Sequence, residues 1–296
     1  MHSQTRKLLA WIYDIWRSRR REEADGAYND ESPPPHVGGY NLSQFRASCE
    51  ISRVALPLLL SAAISLVAAD GREGRRNRNR DAEGFEFIFN RVDLRGWKGD
   101  TNFWSVQGSN ITGRITAERS PKANTFLIWT NGTVSDFELR AAFKITPNNA
   151  KNSANSGIQY RSRELTNETA AFVVAGYQAD IDAANLHTGS IHEERGRSTL
   201  AARAQMTRIG STGTVHPVGS LGSADEIASV IRPNDWNEYV IIARGNQLTH
   251  LINGRVTAQT TDSQEGARSF HGIVALQLHT GEPMTVQFRN LRLKSL

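Results

Sequence analysis

From Phe85 to Leu296 the sequence alternates apolar and polar residues with a period of two, segment after segment, and this pattern limits the fold more than any other feature. Phe137, Leu139, Ala141, Phe143 and Ile145 alternate with Glu138, Arg140, Ala142 and Lys144. Successive side chains of a strand point to opposite faces, so one face of this segment lies in a core and the other outside it. Extended segments follow the same logic at Phe85–Phe89, Phe103–Gln107, Thr125–Trp129, Gly157–Arg161, Tyr177–Asp182, Tyr239–Arg244, Leu248–Ile252, Ile273–His279 and Val286–Leu293. Asn253-Gly254 suits a type I′ hairpin turn, whose two central residues need positive φ. Only Ala224–Ile231 reads as a helix, and no βαβ alternation, phosphate loop or long repeat is present. The expected fold is an all-β antiparallel sandwich, an architecture that often curves to leave one polar sheet face open.

The leading residues differ in kind. Residues 1–80 hold 13 Lys and Arg against 9 Asp and Glu, whereas residues 81–296 hold 22 against 21. The body is nearly neutral and gives no electrostatic reason to expect nucleic acid. Residues 1–53 read as a poorly structured extension, with an apolar stripe (Leu8, Leu9, Trp11, Ile12, Ile15, Trp16) that would also suit a membrane surface if uncleaved. Residues 54–69 carry no charge and end in Val67-Ala68-Ala69, the pattern of a secretory signal, so a secreted or periplasmic protein is expected. On that reading the true start lies upstream of Val54 but well after Met1, at a non-Met codon, and residues 1–50 are an annotation artefact. Residues 70–83 form an Arg-rich tether to a body spanning 84–296. Cys49 is the only cysteine, so neither an intrachain disulfide nor a cysteine-built metal site can form.

Three strands of the body share an unusual polar phase. Gln159 and Arg161 alternate with Ile158 and Tyr160, while Gln178, Asp180 and Asp182 alternate with Tyr177, Ala179 and Ile181. Gln277 and His279, with Ala275, alternate with Leu276 and Leu278. A glutamine amide both donates to and accepts from hydroxyls, so convergence of the three on one sheet face would make a polyol site. Three separate solvated faces are the plainer reading.

Several motifs then carry a resemblance. Asn155-Ser156-Gly157-Ile158-Gln159-Tyr160-Arg161-Ser162-Arg163, Gly176-Tyr177-Gln178-Ala179-Asp180, Glu193-Glu194-Arg195-Gly196-Arg197, Asp235-Trp236-Asn237-Glu238-Tyr239, His250-Leu251-Ile252-Asn253-Gly254 and Leu276-Gln277-Leu278-His279, in this order, resemble the 3-keto-disaccharide hydrolase domain. The resemblance runs from about Gly84 to Leu296. It implies a concanavalin A-like jelly-roll sandwich and a glycoside substrate oxidised to a ketone at C3. Such a ketone acidifies the C2–H, which opens a route through proton abstraction, elimination of the C1 substituent and hydration.

On that chemistry Asp180 is the candidate base or metal ligand, and His279 a second acid/base or ligand. Arg161 would hold the developing oxyanion, and Gln159, Gln178 and Gln277 the substrate hydroxyls. Glu193 or Glu194 would serve as an acid, and Trp104 as a stacking platform for a sugar ring. A divalent metal on Asp180 and His279 would suit enolate stabilisation. A carboxylate pair of Asp180 with Glu193 or Glu194 would instead suit ordinary glycoside hydrolysis. Plainer roles stand beside these: Asp180 paired with Arg161, Trp104 in the core, Glu193–Arg197 as a surface ion-pair run, His250 as structural, and Asp182 as a strand-end residue outside the site. The rival function is a non-catalytic, lectin-like carbohydrate-binding module.

Overall fold

The structure is a computed structural model, and it describes residues 80–296. The extension, the signal-like segment and most of the tether lie outside the described residues. Among those described, seventeen strands and one short helix, α1 (Ala224–Ser229), form two sheets. In the larger sheet the order is β12 (Val215–Ser220), β11 (Gln205–Ile209), β15 (Arg255–Asp262), β14 (Gln247–Ile252), β13 (Asn237–Arg244), β6 (Phe137–Pro147), β17 (Met284–Ser295), β4 (Asn110–Ile115) and β3 (Trp104–Gln107), with β1 (Glu86–Phe87) also on β17. The smaller sheet runs β10 (Ser198–Ala201), β9 (Ile191–Glu194), β8 (Val173–Asp182), β7 (Asn155–Leu165), β16 (Ile273–Leu278), β5 (Thr125–Trp129) and β2 (Trp97–Lys98). Pairing is antiparallel except between β11 and β15, so the fold is the antiparallel jelly-roll sandwich expected from the alternation. No helix among the described residues is long and apolar enough to cross a membrane.

The core is built from the apolar phase of both sheets. Phe137, Leu139, Ala141 and Phe143 of β6 and Tyr239 and Ile241 of β13 meet Ile158 and Tyr160 of β7, Tyr177, Ala179 and Ile181 of β8, and Leu276 and Leu278 of β16. Asn253 and Gly254 take φ of 48° and 80° in the β14–β15 hairpin, as its turn requires. His250 is wholly buried, with Nε2 2.9 Å from the Tyr160 hydroxyl and Nδ1 3.1 Å from the Tyr239 hydroxyl. Burial drives its pKa down to about 3, so it serves as a neutral hydrogen-bonding core residue.

One local break in the alternation shapes the outer face of the smaller sheet. Arg161 sits in the left-handed region at φ 47°, and the β7–β8 register shifts between Tyr160 and Arg163. Glycines on both flanks make room for this bulge. A Cβ on Gly176 would lie 2.7 Å from Ser162 Cα, and one on Gly272 would lie 2.4 Å from the Arg161 carbonyl carbon. Bulges bend the strand that carries them. Beyond this one the β7–β8 hairpin folds back over the outer face, where Val174 joins Phe126, Ile128 and Ala275 in a small apolar cluster. Phe126 N–H donates to the Phe172 carbonyl at 3.0 Å and Lys98 pairs with Glu164 at 2.6 Å, which ties the hairpin to β5 and β2.

Candidate functional site

The rest of that outer face is polar, and its Gln159, Gln178 and Gln277 are buried. Two register rows cross it: Gln277 opposite Gly157 opposite Asp180, and Ala275 opposite Gln159 opposite Gln178 opposite His192. Gly157 is the gap that lets the rows interlock. A Cβ there would lie 2.6 Å from Gln178 Cδ, so the Gln178 side chain lies across the glycine toward the next row.

The amides form a directed chain. Ser162 Oγ donates to Gln159 Oε1 at 2.8 Å, Gln159 Nε2 to Gln178 Oε1 at 2.6 Å, and Gln178 Nε2 to Asp180 Oδ1 at 3.2 Å. A second group closes the other side of the face. Glu194 accepts from Asn124 Nδ2 and from Gln277 Nε2, both at 3.1 Å, although β9 and β16 are separated in the sheet by β8 and β7. The folded-back hairpin accounts for this reach, since Glu194 is in register with Gly176 at the bend.

Asp180 is 9% exposed and forms no ion pair among the described residues. Burial lifts its pKa to about 7, helped by Asp182 and Glu194 and opposed by the Gln178 hydrogen bond and by His187. Burial also lowers the pKa of His192, with Glu194 and Glu193 opposing. A carboxyl whose pKa burial raises and an imidazole whose pKa burial lowers thus share one face.

The structure separates the sequence candidates into two groups. Gln159, Gln178, Asp180, Glu194 and Gln277 meet on the polar face. His279 lies one row beyond Gln277, where its N–H donates to the Asn155 carbonyl at 3.4 Å and its Nδ1 is 2.6 Å from the Thr280 carbonyl oxygen. Among the described residues no three His, Cys, Asp or Glu side chains are grouped to hold a metal ion. Arg161, Glu193 and Trp104 lie elsewhere. The bulge turns Arg161 out of phase with Gln159, and its guanidinium donates to the carbonyls of Ser135 and Gly245 and to Asp136 Oδ1. It holds no oxyanion site and does not pair with Asp180. Glu193, in phase with Tyr177, faces the other sheet and takes two bonds from the Arg197 guanidinium and one from its backbone N–H, while the guanidinium also binds Asp262. Trp104 is 1% exposed, and its ring packs so closely on β4 that a Cβ on Gly113 would lie 2.8 Å from it; it is core, not a platform. Asp182 organises the following loop by accepting from the backbone N–H groups of Leu186, His187 and Thr188.

Asn124, His187 and His192 are the members that sequence reasoning missed. The alternation Ile191-His192-Glu193-Glu194 does separate Glu193 from Glu194 and places His192 with the latter; Asn124 lies outside any strand and gives no such signal. A groove of about 420 Å³ lies at the β3–β4 edge of the larger sheet, where Trp104, Gln107, Arg114, Glu118 and Arg119 are among the residues that line it.

The class defined by these features is a jelly-roll sandwich with a Gln- and carboxylate-lined site on the outer face of its smaller sheet. Residues 84–294 match the 3-keto-alpha-glucoside-1,2-lyase-like domain, and the chain belongs to that family. No curated protein matches the sequence. Among solved structures the chain is similar to a Parabacteroides distasonis protein described as a candidate glycosyl hydrolase (18% identity, TM-score 0.47, 73% of this chain and 95% of that one). It is also similar to the carbohydrate binding module CBM66 from Bacillus subtilis (16%, 0.44, 68% and 96%) and to a Bacillus subtilis protein with a galectin-like fold (11%, 0.45, 68% and 90%). Likenesses of this extent carry no information about substrate.

Proposed function

We propose that the domain cleaves 3-keto-glycosides, with Asp180 as the base that removes the C2 proton. The observation that carries this reading is a buried carboxyl in no ion pair, held by a chain of amides on the polar outer face of the smaller sheet. A carboxylate desolvated in this way is a stronger base than one in water, and its pKa of about 7 suits proton transfer at neutral pH. Membership of a 3-keto-alpha-glucoside-1,2-lyase-like family supports an oxidised sugar as the substrate.

The step balances as follows. The C2–H pair forms the C2=C3 enolate while the proton moves to Asp180. The electrons then return to restore C3=O, form C1=C2 and break the C1–O bond; the departing aglycone oxygen takes a proton from solvent, and Asp180 releases its own proton to solvent. Water adds across C1=C2, with hydroxyl to C1 and hydrogen to C2, so the net change is hydrolysis. With Arg161 remote, the enolate oxygen would rest on neutral donors, the remaining amide N–H groups of Gln159 or Gln178 and the His192 imidazole. A secreted or periplasmic location, read from residues 54–69, would place the enzyme among extracellular glycosides; N-terminal sequencing of the exported protein tests that part.

The decisive experiment incubates the full-length protein with 3-keto-trehalose or a 3-keto-α-glucoside and follows release of 3-keto-glucose. Turnover that disappears in Asp180→Asn supports the reading. Binding without turnover would assign the protein to the non-catalytic carbohydrate binders instead.

A further inference from the structure

Gln277 holds a polar atom that proton transfer at Asp180 leaves unused. Its side chain is wholly buried, yet no donor among the described residues reaches its Oε1. Buried acceptors are normally paired, so this oxygen is prepared for a donor from outside the chain. The amide cannot turn round to relieve it. The Thr280 backbone N–H, a fixed donor, binds Asn124 Oδ1 at 3.1 Å, which directs Asn124 Nδ2 at Glu194 Oε1. The carboxylate has only acceptor oxygens to offer, so the end of Gln277 that faces Glu194 Oε2 is its NH2 group. The orientation of Oε1 is therefore set by Glu194 and, behind it, by Asn124. Gln277 shares a register row with Asp180, with Gly157 between them, so its free oxygen belongs to the same patch as the base.

We propose that Gln277 Oε1 accepts a hydrogen bond from a hydroxyl of the sugar ring, and that Glu194 is the positioning residue that keeps the amide this way round. The inference rests on the carbohydrate reading above and adds a specificity rule to it. A keto oxygen carries no proton and cannot satisfy Gln277, so the oxidised carbon is excluded from this position. The ring is thereby registered so that another carbon faces Gln277, and the site of oxidation tolerated by the enzyme follows from that register.

The test compares full-length wild type, Gln277→Ala and Glu194→Gln on methyl 3-keto-α-glucoside and its 2-, 4- and 6-deoxy analogues. In wild type, one analogue should lose about tenfold in kcat/KM, chiefly through KM, as expected for one hydrogen bond that anchors the ring. In Gln277→Ala and Glu194→Gln the parent sugar should lose a similar factor and that same analogue nothing further. The other two analogues should fall in proportion to the parent. An inflection of the pH–rate profile should persist in Glu194→Gln, moved somewhat below its wild-type position because the Glu194 charge no longer helps to raise the pKa of Asp180. Equal losses for every analogue in all three proteins would overturn the proposal, as would loss of the pH inflection. Asn124→Ala, which removes only the far support of Glu194, should show the same analogue-specific coupling at two- to threefold; it decides the matter if the other variants fail to fold. If wild type turns over no keto sugar, the catalytic reading fails by itself. Calorimetric titration with methyl α-glucoside and its deoxy analogues then makes the same comparison: coupling at one hydroxyl sustains the role of Gln277, and absence of binding ends it.

Discussion

Glu193 and Glu194 are neighbours in sequence and belong to two buried polar clusters on opposite sides of the β8–β9 pair. On the inner side, Glu193 and Asp262 share the Arg197 guanidinium at 2.6 and 2.7 Å, and the Tyr177 hydroxyl donates to Asp262 at 2.6 Å. Burial works against the charge on Arg197, but its hydrogen bonds to both carboxylates prevail and raise its pKa. On the outer side, Asp180 and Glu194 receive only carboxamide donors. Both clusters lie out of water, and the difference is the cation. Where Arg197 neutralises the carboxylates, they join the two sheets. Where no ion pair forms, desolvation raises the pKa of Asp180 to about 7.

Exchange of Asp180 for Asn tests the contrast most severely. It should lower kcat on a 3-keto-glucoside by roughly a hundredfold or more, the usual worth of a general base. The melting temperature should hold or rise, because a desolvated, unpaired carboxyl is removed; a variant that keeps its activity removes Asp180 from the mechanism. On the inner side Glu193→Ala should behave oppositely. Loss of one partner of a buried pair costs about 3–5 kcal/mol, read as a lowered denaturant midpoint, while kcat of the protein that remains folded should change little. A stable but inactive Glu193→Ala would mean that the two clusters are not separate in function.

The pH dependence of stability sharpens the same point. The pKa of Asp180 in the folded protein, about 7, lies above its reference value of 3.8. Folding therefore favours the protonated form, and this contribution is fully present below the unfolded pKa and lost as pH rises through 7. Relative to Asp180→Asn, wild type should lose a few kcal/mol across that window in urea titrations. A difference that stays flat with pH would show that Asp180 is not desolvated in solution. The smallest effect is expected from Gly157→Ala. The new methyl meets Gln178 at 2.6 Å, so the amide must move off Asp180. A stability cost of about 1–3 kcal/mol and a several-fold fall in kcat should accompany it, and unchanged kinetics would show that the amide chain does not govern the base.

Much of this molecule was legible from its residues. Period-two alternation is a local property, and it correctly placed extended segments at ten of the strands and the Asn253-Gly254 hairpin. It did not give β2, β4, β9 to β12 or β15, because it signals only where backbone geometry and the side chains that avoid water coincide. The same alternation placed Gln159, Gln178, Asp180 and Gln277 in one phase. It failed at Arg161, whose positive φ interrupts the phase. That conformation is permitted by Gly176 on β8 and Gly272 ahead of β16, neither of which signals at position 161. Trp104 was open between core and platform because an aromatic residue serves either place equally well; only its packing on Gly113 decided for the core.

By itself, then, the sequence determined an all-β sandwich with a glutamine- and carboxylate-bearing strand phase, since those facts follow from neighbours along the chain. Which charges are neutralised was decided only in the tertiary structure. Arg161 finds Asp136, Arg197 finds Asp262, and Glu194 finds Asn124 and Gln277 across 25 to 83 residues. These pairings depend on a bulge and a folded-back hairpin, and they leave Asp180 as the buried carboxyl with only an amide to hold it.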